Sequence, residues 1–197
     1  FPSLPNAQGF DEYIGFRTGH TADYYNAVLE KNAEPYQTEG YITDMLTDKA
    51  LDFMLREEEA PFFCYLPYNA PHTPLQIDSQ WVQPYLEQGL DEREARVYGM
   101  VENIDHNIGR MLRRLEENQL LENTIVIFMS DNGPISGWRI PQEEMRYNAG
   151  LRDQKFTVYE GGIRTQCYWI WKGQWPAGQR HGAVAAHIDV LPTLAEV

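Results

Sequence analysis

The chain has 197 residues and a formal net charge of −13, with 43% hydrophobic and 23% charged residues. This composition is that of an ordinary globular protein of one or two domains, and it excludes a disordered chain. The negative charge argues against nucleic acid as a partner, because no basic patch is available to replace counterions. No apolar run approaches the roughly 20 residues that a membrane-spanning helix requires.

The N-terminal region shows little regular pattern. Residues 1–40 are predicted to form an irregular surface segment held by a few aromatic side chains, with His20 as a solvated loop residue. Residues 41–58 place apolar side chains three and four positions apart, which predicts a helix with one apolar face. A short helix interrupted by Pro84 is predicted over residues 78–88.

The longest predicted helix covers residues 91–119. Asp91 and Glu94 resemble a capping arrangement at its start. Asp105 lies beside the apolar stripe, and we expect a buried, hydrogen-bonded structural side chain there. The neighbouring His106 should face solvent.

Short apolar runs at residues 62–66 and 125–129 predict buried strands. With the long helix between them they form a βαβ unit, which normally joins parallel strands. Cys167 to Trp171 predicts a third strand, and a final helix is expected to begin at Asp189 as N-cap. Cys64 and Cys167 lie in these apolar runs, and buried free thiols are favoured over a single disulfide.

The stretch that follows residues 125–129 carries the first candidate site. Asp131 and Asn132 stand where ligands bind in open α/β sheets, at the carboxyl end of a strand. Their hard oxygen atoms suit calcium or magnesium better than zinc. The alternative is a simple turn, because Asn132 and Gly133 both tolerate positive φ.

Two further candidates are His72 and Lys155. Prolines on both sides of His72 stiffen its loop, so this histidine is either structural or part of a site. Lys155 precedes Gly161-Gly162, which allows a tight turn or a close backbone approach. An oxygen-ligand metal site beside cationic or proton-donating groups suits sulfate or phosphate.

A series of short motifs resembles the sulfatase family of the alkaline phosphatase superfamily. In chain order the matching stretches are residues 9–15, 41–48, 70–74, 104–105, 130–133, 155–164 and 187–193. Each motif is weak alone, but their order along nearly the whole chain is specific. The resemblance implies an α/β fold of the alkaline-phosphatase type, with three α/β/α layers and a mostly parallel sheet, represented here by a fragment.

The resemblance also implies roles for the candidates. Asp131 and Asn132 would be two ligands of one calcium ion, and His72 and Lys155 would bind the sulfate and assist departure of the leaving oxygen. A group of residues would support the lysine's loop, namely Glu160, Gly161, Gly162 and Arg164.

Parts of the family pattern are missing. The family's nucleophile is a formylglycine made from Cys or Ser in a Cys/Ser-x-Pro/Ala-x-Arg motif, and neither Cys64 nor Cys167 has that context. The early Asp pair that completes the calcium site and the smaller C-terminal domain are also absent. Residues 1–197 are therefore expected to be a partial catalytic domain that is inactive in isolation and holds calcium weakly or not at all.

The implied function is hydrolysis of a sulfate ester. A saccharide substrate is preferred because Trp138, in the polar loop at residues 134–152, could stack on a sugar ring, although a surface anchor is an equal reading of that residue. The alternatives are a phosphodiesterase or phosphonate hydrolase of the same superfamily and an inactive glycan-binding relative. Export to the periplasm, the cell exterior or the lysosome is expected from the resemblance alone.

Overall fold

The computed structural model describes residues 4–56, 60–135 and 147–197. Trp138 lies outside these ranges. Within them the chain forms two small sheets and a set of helices that pack around two hydrophobic clusters. No helix in these ranges combines the length and apolar character that a membrane crossing needs.

The N-terminal region contains a three-stranded antiparallel sheet, which corrects the expectation of an irregular segment. Its strands are β1 (Ile14–Gly15), β2 (Val28–Lys31) and β3 (Glu34–Gln37), in that order. Asn32 and Ala33 join β2 to β3 with φ values of 51° and 74°. Positive φ at both central residues defines the tight hairpin turn that matches strand twist. Leu29 of β2 is 2% exposed and anchors the sheet in the core.

Three helices follow, close to their predicted bounds. They are α1 (Ile42–Met54), α2 (Ser79–Glu87, with Pro84 inside it) and α3 (Glu92–Glu117). The predicted cap of α3 is confirmed, because Asp91 Oδ1 accepts from the backbone N–H groups of Arg93 at 2.8 Å and Glu94 at 3.0 Å. These bonds satisfy donors that the first helical turn leaves without partners.

The buried face of α3 differs from the predicted stripe. Asp105 is exposed, so the expectation of a buried structural aspartate there was wrong. Asn103 and Asn107, four positions apart on one face, are buried instead, with exposures of 1% and 0%. The apolar pattern could not indicate them because both are polar. His106 faces solvent as predicted and contacts the Trp81 ring, with centroids 5.5 Å apart.

The second sheet pairs β4 (Ile125–Met129) with β5 (Cys167–Trp171) in antiparallel register, from Ile125 opposite Trp171 to Met129 opposite Cys167. Every residue of β4 is half-buried rather than fully buried. The structure assigns no strand to residues 61–69, so a parallel βαβ pairing is not formed among the described residues. That segment still alternates between half-buried and exposed side chains, as an extended chain does.

Two hydrophobic clusters hold these elements. The first joins the N-terminal sheet and α1 to Ala70 and Ile77, with Phe128 of β4 packed against it. The second joins the end of α1 to the end of α3, with Cys64 packed against it. Cys64 and Cys167 are free, as expected, and burial raises the pKa of the Cys64 thiol, but Cys167 is exposed rather than buried.

The last elements are α4 (Glu160–Ile163) and α5 (Val190–Ala195), the latter preceded by a 3₁₀ turn over His187–Asp189. Asp189 does not cap α5 with its side chain. Its Oδ2 instead accepts from the backbone N–H of Ala186 at 2.7 Å, which closes the 3₁₀ turn. The predicted helix is therefore present, with its cap acting one turn earlier.

Candidate functional site

The end of β4 is fixed by its backbone. Ser130 N–H donates to the carbonyl of Gln166 at 3.3 Å. The carbonyl of Ser130 lies 3.2 Å from Thr165 Oγ1 and 3.1 Å from His187 Nε2. His187 thus contacts the end of β4 through its Nε2 atom. These contacts hold the two residues that follow, of which Asp131 is exposed and Asn132 is half-buried.

Gly133, which ends this stretch, lies in close contact with the backbone of another segment. Its N–H donates to the carbonyl of Gly162 at 2.9 Å, and a Cβ at Gly133 would lie 2.0 Å from the carbonyl oxygen of Gly161. Among the described residues with positive φ, neither Asn132 nor Gly133 occurs. The glycine is thus required by close backbone approach, and the simple-turn alternative loses its main support.

The loop that carries Lys155 is bonded to this same stretch. Lys155 N–H donates to the carbonyl of Pro134 at 2.9 Å, and the Lys155 side chain is half-buried. Further along, a Cβ at Gly161 would lie 2.0 Å from Asp153 O, and one at Gly162 would lie 2.4 Å from Thr157 O. The paired glycines therefore serve a close approach and not a turn.

The backbone around Lys155 is strained. Three non-glycine residues of the loop have positive φ, at 58° for Ala149, 68° for Asp153 and 79° for Phe156. Such conformations cost on the order of 1–3 kcal/mol each and are found at functional sites. Asp153, which is 3% exposed, accepts from the N–H of Gln154 at 2.9 Å and stabilises the turn before the lysine.

His72 lies in a separate loop with its own supports. The Ala70–Pro71 and Thr73–Pro74 peptide bonds on either side of it are cis. His72 Nδ1 lies 2.8 Å from the carbonyl oxygen of Thr73. A carbonyl only accepts, so Nδ1 carries the proton in this contact, and Nε2 is the ring nitrogen that this contact does not use.

Tyr24 contacts the backbone of this loop through its hydroxyl group. Its hydroxyl donates to the carbonyl of His72 at 2.9 Å and lies 3.4 Å from that of Asn69. Tyr24 is 1% exposed, and burial raises the pKa of its phenol. The hydroxyl therefore stays protonated at neutral pH and remains a donor.

Hydrogen bonds between α1 and α3, called here the α1–α3 lock, support the start of the loop that carries His72. Asp44 of α1 accepts from Asn103 Nδ2 at 2.9 Å and from Asn107 Nδ2 at 2.7 Å. Nearby on α1, Thr47 Oγ1 lies 2.6 Å from the hydroxyl of Tyr68, the residue just before Asn69. The motif at residues 41–48 thus fixes the position of α3 and of the loop that bears His72.

The described contacts bring some candidates together directly and others through the core. The Asp131–Asn132 stretch is bonded to the loop of Lys155. The described link from His72 to that pair runs through the first hydrophobic cluster, which includes Ala70 and against which Phe128 packs. Asn69 has both polar side-chain atoms buried without a hydrogen-bond partner among the described residues.

The side-chain oxygens at the end of β4 are of the type that binds calcium. Asp131 and Asn132 offer carboxylate and carboxamide oxygens, whereas calcium takes six to eight such ligands. Among the described residues, no group of three or more His, Cys, Asp or Glu side chains could hold a metal ion. These two residues can therefore supply part of a calcium site, and the other ligands must come from elsewhere.

Sequence reasoning missed several residues that shape the site. They are Tyr24, Gln76, Asn103 and Asn107, whereas Asp44 and Thr47 lie in the matching motif at residues 41–48. The only available signal was a polar residue at a helix position facing the core, as for Asn103 and Asn107. Tyr24 and Gln76 carried no such signal, because their contacts join segments about 50 positions apart.

An α/β fold with a carboxylate and a carboxamide after one strand and a lysine on the adjoining loop is compatible with a protein that binds oxyanions. A family model described as Sulfatase matches residues 2–197, and the chain belongs to the sulfatase family. It is 34% identical over 193 residues to "Uncharacterized sulfatase YdeN" of Escherichia coli, covering 96% of this chain and 33% of the relative. It is 29% identical over 209 residues to "N-acetylgalactosamine-6-sulfatase" of Canis lupus familiaris, covering 96% of this chain and 38% of the relative.

A solved structure gives the same result for the fold. The crystal structure of Ps i-CgsB in complex with k-i-k-neocarrahexaose has a TM-score of 0.88 and 30% identity, and covers 99% of this chain and 47% of that one. The predicted alkaline-phosphatase-like α/β fold is thereby confirmed. The chain spans about a third of the length of the curated relatives it matches.

Proposed function

We propose that the intact protein is a sulfuric ester hydrolase that removes sulfate from a saccharide. The observation that carries this proposal is the pair of backbone bonds that join the Asp131–Asn132 stretch to the loop of Lys155. They bring metal-type oxygen ligands and a cation into one region. Family membership and the names of the relatives support the sulfate ester, and the neocarrahexaose complex of i-CgsB supports a saccharide.

Each candidate residue has a defined task in this proposal. Asp131 and Asn132 hold calcium through their side-chain oxygens. Lys155 places a positive charge beside the sulfate oxygens, where charge develops during the reaction. His72 holds a proton at Nε2 and gives it to the departing alcohol oxygen, as histidine does more often than any other side chain in general acid catalysis.

Two groups of the proposal lie outside these residues. A formylglycine nucleophile in an upstream segment and a calcium ion would supply covalent attack on sulfur and neutralisation of the sulfate oxygens. The isolated chain of residues 1–197 is accordingly proposed to be inactive. Export remains part of the proposal on family grounds.

The experiment that tests the function compares two ester classes. Purified intact protein is assayed with p-nitrophenyl sulfate and p-nitrophenyl phosphate under identical conditions. We expect kcat/KM to favour the sulfate by about a hundredfold or more, a difference of roughly 2.7 kcal/mol in transition-state binding. A preference for the phosphate would favour the phosphodiesterase alternative, and turnover of neither ester would favour the inactive glycan-binding one.

A further inference from the structure

His20, which the sequence indicated only as a solvated residue, lies beside His72. The two imidazole ring centroids are 6.3 Å apart with an angle of 35° between the ring planes, and both side chains are exposed. The two rings are therefore neighbours, and both are accessible from solvent.

The loops that carry the two histidines are fastened together. Tyr24 donates its hydroxyl to the carbonyl of His72 at 2.9 Å and its N–H to Gln76 Oε1 at 2.7 Å. Gln76 Nε2 in turn lies 3.4 Å from the carbonyl of Ala22. Tyr24 is 1% exposed and its two bonds are partly buried, whereas the contact of Gln76 with Ala22 is exposed. The position of His20 is therefore coupled to that of His72.

Hydrogen bonds of Arg17 and Thr18 also stabilise the turn that carries His20. Thr18 Oγ1 donates to the carbonyl of His20 at 2.8 Å, and Gly19 between them has a φ of 81°. Arg17, just before the turn, donates from Nη2 to Glu30 Oε1 of β2 at 2.7 Å. These contacts fix the backbone of the turn that carries the exposed His20 side chain.

We propose that His20 contacts the saccharide leaving group and helps to determine which substrate is accepted. The inference rests on the proposed function, in which His72 gives its proton to the departing oxygen. That oxygen belongs to the sugar, so an imidazole next to His72 meets the sugar's ring and hydroxyl groups. His20 offers them a donor nitrogen, an acceptor nitrogen and an apolar ring face, and it takes no part in proton transfer.

The test uses the intact protein with His20→Ala and His20→Gln, and His181→Ala as a control at another exposed histidine. Each variant is assayed with p-nitrophenyl sulfate, k-i-k-neocarrahexaose and N-acetylgalactosamine 6-sulfate. For the saccharide that the unaltered protein hydrolyses faster, kcat/KM should fall about tenfold or more in His20→Ala, because the site loses a partner for a sugar hydroxyl. The aryl sulfate value should stay within about twofold, and His20→Gln should retain part of the saccharide activity.

The other outcomes overturn the inference in recognisable ways. An unchanged saccharide value would show that His20 does not contact the sugar. An equal fall on both substrate classes would show that it acts through His72. Hydrolysis of the aryl sulfate but of neither saccharide would contradict a saccharide at this position. Failure of the unaltered protein on every sulfate ester would remove the proposed function itself, and this inference with it.

Discussion

Gly133 is the residue at which the end of β4 comes closest to α4. The space for a side chain is filled by the carbonyl of Gly161, and the N–H of Gly133 is bonded to Gly162. A methyl group there must push two segments apart. These are the segments that carry Asp131 and Lys155, so stability and site geometry depend on the same contact.

Gly133→Ala should therefore destabilise the protein. We expect the free energy of unfolding to fall by about 1–3 kcal/mol through overpacking, measured by urea denaturation. Gly182→Ala is the matched control, since a Cβ at Gly182 meets no atom within 4 Å. Equal effects of the two substitutions would show that the close approach to Gly161 is not a constraint.

At the scale of elements, the lock between α1 and α3 fixes the scaffold of the site. Asn107 is fully buried and donates to Asp44 Oδ1 at 2.7 Å and to the carbonyl of Asn103 at 2.9 Å. The lock orients α1, whose Thr47 meets Tyr68 at the head of the His72 loop. A polar contact between two helices is thus connected to the position of a candidate catalytic side chain.

Asn107→Ala should lower the free energy of unfolding by about 1–3 kcal/mol, because the half-buried carboxylate of Asp44 would lose the donor that Asn107 supplies. Asp105→Ala, two positions away on the same helix but exposed, should change it by less than about 0.5 kcal/mol. Chemical denaturation of both variants measures the difference. A larger effect at Asp105 would restore the original expectation of a structural aspartate there.

The ion pair between Glu12 and Arg56 connects the N-terminal segment to the residues that follow α1. Arg56 Nη2 donates to Glu12 Oε2 at 3.0 Å, and this hydrogen bond lowers the pKa of Glu12. A lowered folded-state pKa contributes stability above the unfolded value of about 4.3, and the contribution is lost as pH falls through the folded value.

Glu12→Gln should accordingly reduce stability at pH 7 by no more than about 1 kcal/mol, since the pair is partly exposed. The difference from the unaltered protein should shrink below pH of about 4. Thermal unfolding across this pH range measures it, with Glu39→Gln at an exposed site as the control. A difference that grew towards low pH would have the wrong sign for this pair.

At the scale of the whole molecule, the sequence predicted helices better than sheets. Apolar periodicity and the Asp91 cap located α1 and α3, because both signals are local in sequence. The hairpin of β2 and β3 was missed because its turn is Asn32-Ala33 rather than a pair containing glycine. The strand expected at residues 62–66 was not formed because a strand requires a hydrogen-bonded neighbour, which local sequence does not specify.

The sequence indicated the candidate site residues but not the contacts that support them. Asp131, Asn132 and Lys155 were visible through their positions next to an apolar run and a glycine pair. The contacts of Tyr24, Gln76 and the α1–α3 lock are long-range, and one sequence does not record them.

Calcium should stabilise the intact protein as a whole. Removal of metal with EGTA should lower Tm, and added Ca²⁺ should restore it by an amount corresponding to about 2.7 kcal/mol at a hundredfold excess over Kd. Asp131→Ala should abolish most of this response, because a charged ligand is lost. A full response in the Asp131→Ala variant would place the calcium site elsewhere.

The most direct measurement is sulfate release by the intact protein carrying His72→Ala or Lys155→Ala, with His106→Ala as a control at an exposed histidine of α3. Loss of a positioned proton donor or of a charge beside the sulfate should lower kcat by about 10²–10⁴-fold. The His106→Ala variant should match the unaltered protein. An unchanged kcat in both site variants would contradict the assignment of His72 and Lys155 to the chemistry.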